Sequence, residues 1–70
     1  MGVVKVRTFQ SALFPAHLAD VNRIALEQDI NMFITSLLPQ NVLEISLRLQ
    51  SIGKYSQLSC YVATVVYYLP

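Results

Sequence analysis

Residues 61–70 read YVATVVYYLP, and the fold turns on how this ending is read. The stretch from Gln57 to Leu69 is rich in β-branched and aromatic residues, the composition of a strand. Strand side chains alternate between two faces. One set is Leu58, Cys60, Val62, Thr64, Val66 and Tyr68; the other is Ser59, Tyr61, Ala63, Val65, Tyr67 and Leu69. Both are largely apolar, so the strand belongs in the middle of a sheet and needs cover on two sides.

Working outward, VLEISLRLQ (Val42 to Gln50) alternates Leu43, Ile45, Leu47 and Leu49 with Val42, Glu44, Ser46, Arg48 and Gln50. That is the period of a strand with one core face. VVKVRTF (Val3 to Phe9) alternates Val4, Val6 and Thr8 with Lys5, Arg7 and Phe9 and is read as the first strand. Between them, Leu26, Ile30, Phe33, Ile34 and Leu37 form one helical stripe. Asp20 is the expected N-cap and Pro39 the stop. Val21, Ile24 and Met32 make a second, weaker ridge along Gln28. QSALFPAHLAD reads as a loop or as the first turn of a short helix, because Pro15 restricts Phe14 before it.

The expected architecture is α+β, a single β-α-β-β domain over residues 1–70. One helix packs on a three-stranded antiparallel or mixed sheet in the order 1-3-2, with a right-handed crossover between the first two strands. The helix covers one face of the central strand. A second copy of the chain covers the other, whether that face bears Tyr61, Ala63, Val65 and Tyr67 or the alternate set.

Composition points the same way. Of 70 residues, 54% are hydrophobic and 13% charged, against roughly 25% charged in ordinary domains, so little charge is available to coat a monomer. A chain this short buries only about 60% of its unfolded surface and needs support from a disulfide, a metal or an oligomer. A lone Cys60 with His17 as its sole companion supplies neither of the first two. A net charge of +1 with scattered Lys5, Arg7, Arg23, Arg48 and Lys54 gives no footprint for a nucleic acid polymer or an acidic membrane. Without a transmembrane-length apolar run or a signal-type N-terminus, a cytoplasmic location is expected.

The segments VKVRTF, LEQDINMFI and CYVATVVYY, in that order, resemble the small sporulation-associated βαββ proteins of Bacillus-type bacteria and their phage-encoded relatives. The resemblance implies this fold and no established chemistry. Dodecins share the β-α-β-β order and bind flavin, but here no tryptophan is present to stack on such a ring, and no cofactor is expected.

No enzyme is expected. Cys60 lies mid-strand and reads as a small buried hydrophobe, and His17 lies in a proline-containing segment as a solvated or capping side chain. No paired carboxylates and no glycine-rich phosphate loop occur. A binding site for a small anionic, nucleotide-like ligand has more material: Arg48 as preferred donor, Arg7 as reserve, Lys54 and Tyr55 in the following turn, and Tyr61 and Tyr67 as aromatic faces. The plainer reading makes the tyrosines interface filler. The expected function is a non-catalytic homo-oligomeric binding module. Among phage relatives that suggests a sponge sequestering a nucleotide-derived immune signal; the alternative is a structural or adaptor protein, for example in sporulation.

Overall fold

The computed structural model describes residues 2–51 and 57–70. Four strands and one helix follow in the order β1 (Val3–Gln10), β2 (Phe14–Pro15), α1 (Ala19–Ile34), β3 (Val42–Ser51) and β4 (Leu58–Leu69). Single 3-10 turns at Ala16–Leu18 and Pro39–Asn41 bracket the helix connections.

β4 is the centre of one antiparallel sheet. β1 lies along one side, from Val3 opposite Leu69 to Gln10 opposite Val62. β3 lies along the other, from Glu44 opposite Val66 to Ser51 opposite Ser59. The main strands therefore take the expected order, and every neighbouring pair is antiparallel. The sheet has four strands rather than three, because Phe14 and Pro15 pair with Ser59 and Leu58 beyond the end of β1. Proline is tolerated there since an edge strand has no neighbour to receive an N–H on its outer side. Ser11 bridges the two short ladders: its N–H donates to the Tyr61 carbonyl at 2.9 Å, and its hydroxyl accepts from the Tyr61 N–H at 2.8 Å.

The helix starts one residue before the expected cap. Leu18 is the N-cap and makes no side-chain capping bond, while Asp20 sits inside the first turn. There its carboxylate favours the positive end of the helix dipole. At the other end, the Thr35 N–H donates to the Asn31 carbonyl at 3.0 Å, and the Thr35 and Ser36 hydroxyls donate to the Met32 and Phe33 carbonyls at 2.9 and 2.6 Å. These bonds satisfy carbonyls a helix end otherwise leaves open. Leu38, extended ahead of Pro39, then carries the chain into β3.

Leu26 and Ile30 on α1 pack on Ala63 and Val65 of β4, with Phe9, Phe33, Ile34, Val42, Tyr61 and Tyr67 around them. Of the two faces of β4, the helix thus covers the one bearing Tyr61, Ala63, Val65 and Tyr67. Leu58, Cys60, Val62, Thr64, Val66 and Tyr68 point to the opposite face, open in that no helix lies over it, although Cys60 itself is 0% exposed there with the Gln10 amide 3.6 Å from its sulfur. Cross-strand partners share a face. On β1 it is Lys5, Arg7 and Phe9 that lie on the helix side; Val4 and Val6 turn to the open face, 61% and 62% exposed.

On β3 the helix-side set is Ile45, Leu47 and Leu49, as its alternation requires, yet these residues are 41–57% exposed. The expectation that this face is core is corrected. A helix is about 10 Å wide and three strands at about 4.8 Å spacing are wider, so one helix cannot roof them all. α1 sits over β1 and β4 and leaves β3 largely exposed beyond Val42, which packs at the edge of the core.

Candidate functional site

Arg7, Phe9, Asp29, Met32 and Phe33 line a cleft of about 410 Å3 where the C-terminal half of α1 crosses β1. The local pattern builds it. Odd residues of β1 face the helix, so Arg7 and Phe9 rise two residues apart toward it. Met32 and Phe33 stand one turn beyond Asp29 on the flank of α1 that meets them. The Arg7 guanidinium carbon lies 4.7 Å from the Phe33 ring centre and 5.0 Å from that of Phe9. The two rings are tilted to each other at 5.6 Å, and Tyr67 meets Phe33 edge-on at 5.1 Å. Contact with two ring faces holds the guanidinium in place while leaving its N–H edges available to an acceptor. Lys5, opposite Tyr67, adds a second cation on the same sheet face. Asp29 at the rim opposes any anion that enters.

Other clefts offer less chemistry. One beside the helix C-terminus, about 490 Å3, is lined by Ile34, Thr35, Leu37, Pro39 and Val42 and has a single side-chain hydroxyl. A groove of about 260 Å3 between α1 and β3 is lined by Glu27, Ile30, Asn31, Ile45 and Leu47.

The residues expected to bind a ligand separate into distinct places. Arg48 lies opposite Val62, on the open face, whereas Tyr61 and Tyr67 are on the helix face. A site within one subunit that joins Arg48 to either tyrosine would have to pass through the sheet. Tyr61 and Tyr67 are themselves about 20 Å apart along β4, six residues at roughly 3.4 Å each. Tyr61 stacks on fully buried Phe14 at 5.3 Å, a packing contact. Lys54 and Tyr55 lie outside the described residues. Among the described residues, only Arg7 and Tyr67 share a neighbourhood: Arg7 lines the cleft above and Tyr67 meets Phe33 at its edge.

Phe9, an aromatic face the sequence also offers, completes that cleft together with Phe33, Asp29 and Met32, which residue type and period do not single out. Phe33 belongs to the core stripe by its spacing, and the period of the helix does not reveal that one edge of the stripe faces a cation. Arg23 is held by its own helix, 3.3 Å from Glu27 and 3.5 Å from Asp20. Its pKa is raised, first by the charge of Glu27 and the hydrogen bond to it.

Cys60 is fully buried and accepts a 3.6 Å contact from the Gln10 amide. His17 is exposed in the 3-10 turn before α1. Among the described residues no three His, Cys, Asp or Glu side chains gather to hold a metal ion, and no helix is long and apolar enough to cross a membrane.

Comparison of the chain with protein-family models, curated proteins and solved structures finds no match.

Proposed function

We propose that this chain is a non-catalytic, homo-oligomeric binding module that captures a small anionic ligand carrying a planar ring. The observation that carries the reading is the Arg7 guanidinium held over Phe9 and Phe33, with Tyr67 and Lys5 alongside. A donor fork suits phosphate or carboxylate, and the aromatic edges suit a base. The open sheet face supports assembly: Val4 and Val6 continue the apolar set of β4 there, uncovered in a single chain, and exposed apolar surface on this scale marks a contact region. With the phage-related resemblance, the finer form of the proposal is a sponge for a nucleotide-derived immune signal.

Isothermal titration with cyclic nucleotides and cyclic ADP-ribose-type compounds tests it, using the wild type, Arg7→Ala and Arg48→Ala. Binding abolished by Arg7→Ala and kept by Arg48→Ala is expected. Heat from none of the compounds, or binding unchanged in Arg7→Ala, overturns the site.

A second reading, an adaptor working through protein contacts, for example in sporulation, is favoured by one observation. Val21 and Ile24 form an exposed apolar ridge on α1 that runs on to exposed Met32 at the rim of the Arg7 cleft. Retained partner binding in Arg7→Ala together with its loss in Ile24→Asp would select that reading.

A further inference from the structure

β3 is a ten-residue strand whose described neighbour is β4 on one side, so its other edge presents a row of backbone N–H and C=O groups. Proteins usually blunt such an edge with charged side chains, lysine above all, with proline, with bulges or with charges turned toward the core. From Glu44 to Ser51, β3 has no lysine, no proline and no inward charge, and the two charges it does carry are of opposite sign. Its two charges, Glu44 and Arg48, both lie on the open face, and neither has an ion-pair partner among the described residues. The irregularity in its ladder is confined to the start, between Val42 and Glu44. The opposite edge of the sheet is different in kind: β1 carries Lys5 and Arg7 and no acid, so two β1 strands brought together meet only as like charges.

The dimensions of the chain also leave room for a partner. It exposes 5084 Å2, whereas a compact monomer of 7.9 kDa exposes roughly 4,400 Å2. The difference, about 700 Å2, is close to the ~800 Å2 that each side contributes to an interface of standard size. Its Cα radius of gyration is 14.1 Å against about 11 Å for a compact domain of this length.

We propose that a second copy of this chain pairs with β3, edge to edge and antiparallel, about a two-fold axis through Ser46. This deepens the homo-oligomer reading by adding a surface distinct from the open face. The register follows from charge. With Ser46 opposite its own counterpart, Glu44 of each copy stands opposite Arg48 of the other, giving two ion pairs related by symmetry. Ile45 likewise stands opposite Leu47 on the helix side, twice. A shift of one residue in the sum of paired positions removes both ion pairs. An isologous contact of this kind closes on itself and does not propagate. It joins the bare Ile45, Leu47 and Leu49 stripes of two subunits into one apolar floor between two α1 helices.

Ser46→Cys and Gln50→Cys, each made in the otherwise unaltered chain, test the register by mild oxidation and a non-reducing gel. Native Cys60 is fully buried, and the wild type is the control for it. Cysteines at position 46 face each other at bridging distance, while those at position 50 are about 27 Å apart in this register. A dimer band from Ser46→Cys alone is the expected result. Bands from both variants, or from neither while light scattering still gives a multiple of 7.9 kDa, overturn β3 pairing and leave open-face assembly standing. A mass of 7.9 kDa overturns both. As a second measurement, Glu44→Arg weakens self-association by about tenfold, and Glu44→Arg combined with Arg48→Glu restores it. Failure of the double variant to restore association counts against the register.

Discussion

Phe33→Ala removes the side chain that joins the core to the Arg7 cleft, and its cost follows from the contacts around it. A fully buried phenylalanine cut back to alanine costs about 3–5 kcal/mol. Phe33 is half-buried, packed against the core cluster from its edge, so roughly half of that range applies for the lost transfer and cavity terms. Its tilted contact with Phe9 and edge-on contact with Tyr67 are worth ~0.5–1.5 kcal/mol each beyond area, partly contained in the same range. The expected loss is therefore about 2–3 kcal/mol. For a domain of this size it lowers the melting temperature by roughly 10–20 °C. Urea unfolding followed by circular dichroism gives the value, at one fixed protomer concentration because assembly contributes to apparent stability. Gln28→Ala, exposed on the far side of α1, is the control and should change stability by less than about 0.5 kcal/mol. A Phe33→Ala protein as stable as the control would show that this edge of the helix does not pack as described.

Further outcomes follow from the same contacts. Val65→Asp and Ala63→Asp place a charge where exposure is 0%, beneath the helix, and should prevent folding rather than dissociate a folded subunit, as read by loss of far-ultraviolet dichroism. Val6→Asp, on the open face, should leave the fold intact and reduce the size of the assembly by light scattering. Asp29→Asn removes the one acid at the cleft and should raise anion affinity roughly threefold to tenfold in titration, with the gain shrinking at high salt. Cys60 should resist alkylation in the native protein and react on unfolding.

Much of the fold was legible because three segments carry unambiguous patterns. Ile45, Leu47 and Leu49 alternate with polar residues, Leu26, Ile30 and Phe33 recur at helical spacing, and a strand apolar on both faces has no comfortable place except the centre. Which face of β4 meets the helix was not legible, since Val62 and Val66 are as apolar as Ala63 and Val65. Nor was the exposure of the β3 stripe. Its pattern reports which side chains share a face and says nothing of how far a helix of fixed width reaches. β2 was hidden by Pro15, which argues against a strand everywhere but at an edge. For the site, residue type identified Arg7 and Tyr67, but pairing Arg48 with Tyr61 or Tyr67 required knowing the register: ladder partners settle that Arg48 and Val62 share a face with neither ring.

The central claim is that one copy of this chain does not cover its own apolar surface, and the mass in solution tests it most directly. Light scattering coupled to size exclusion, run at micromolar protomer concentration, is expected to return about 16 kDa or a higher multiple of the 7.9 kDa chain. A single stable species at 7.9 kDa, soluble and unchanged on concentration, would contradict it.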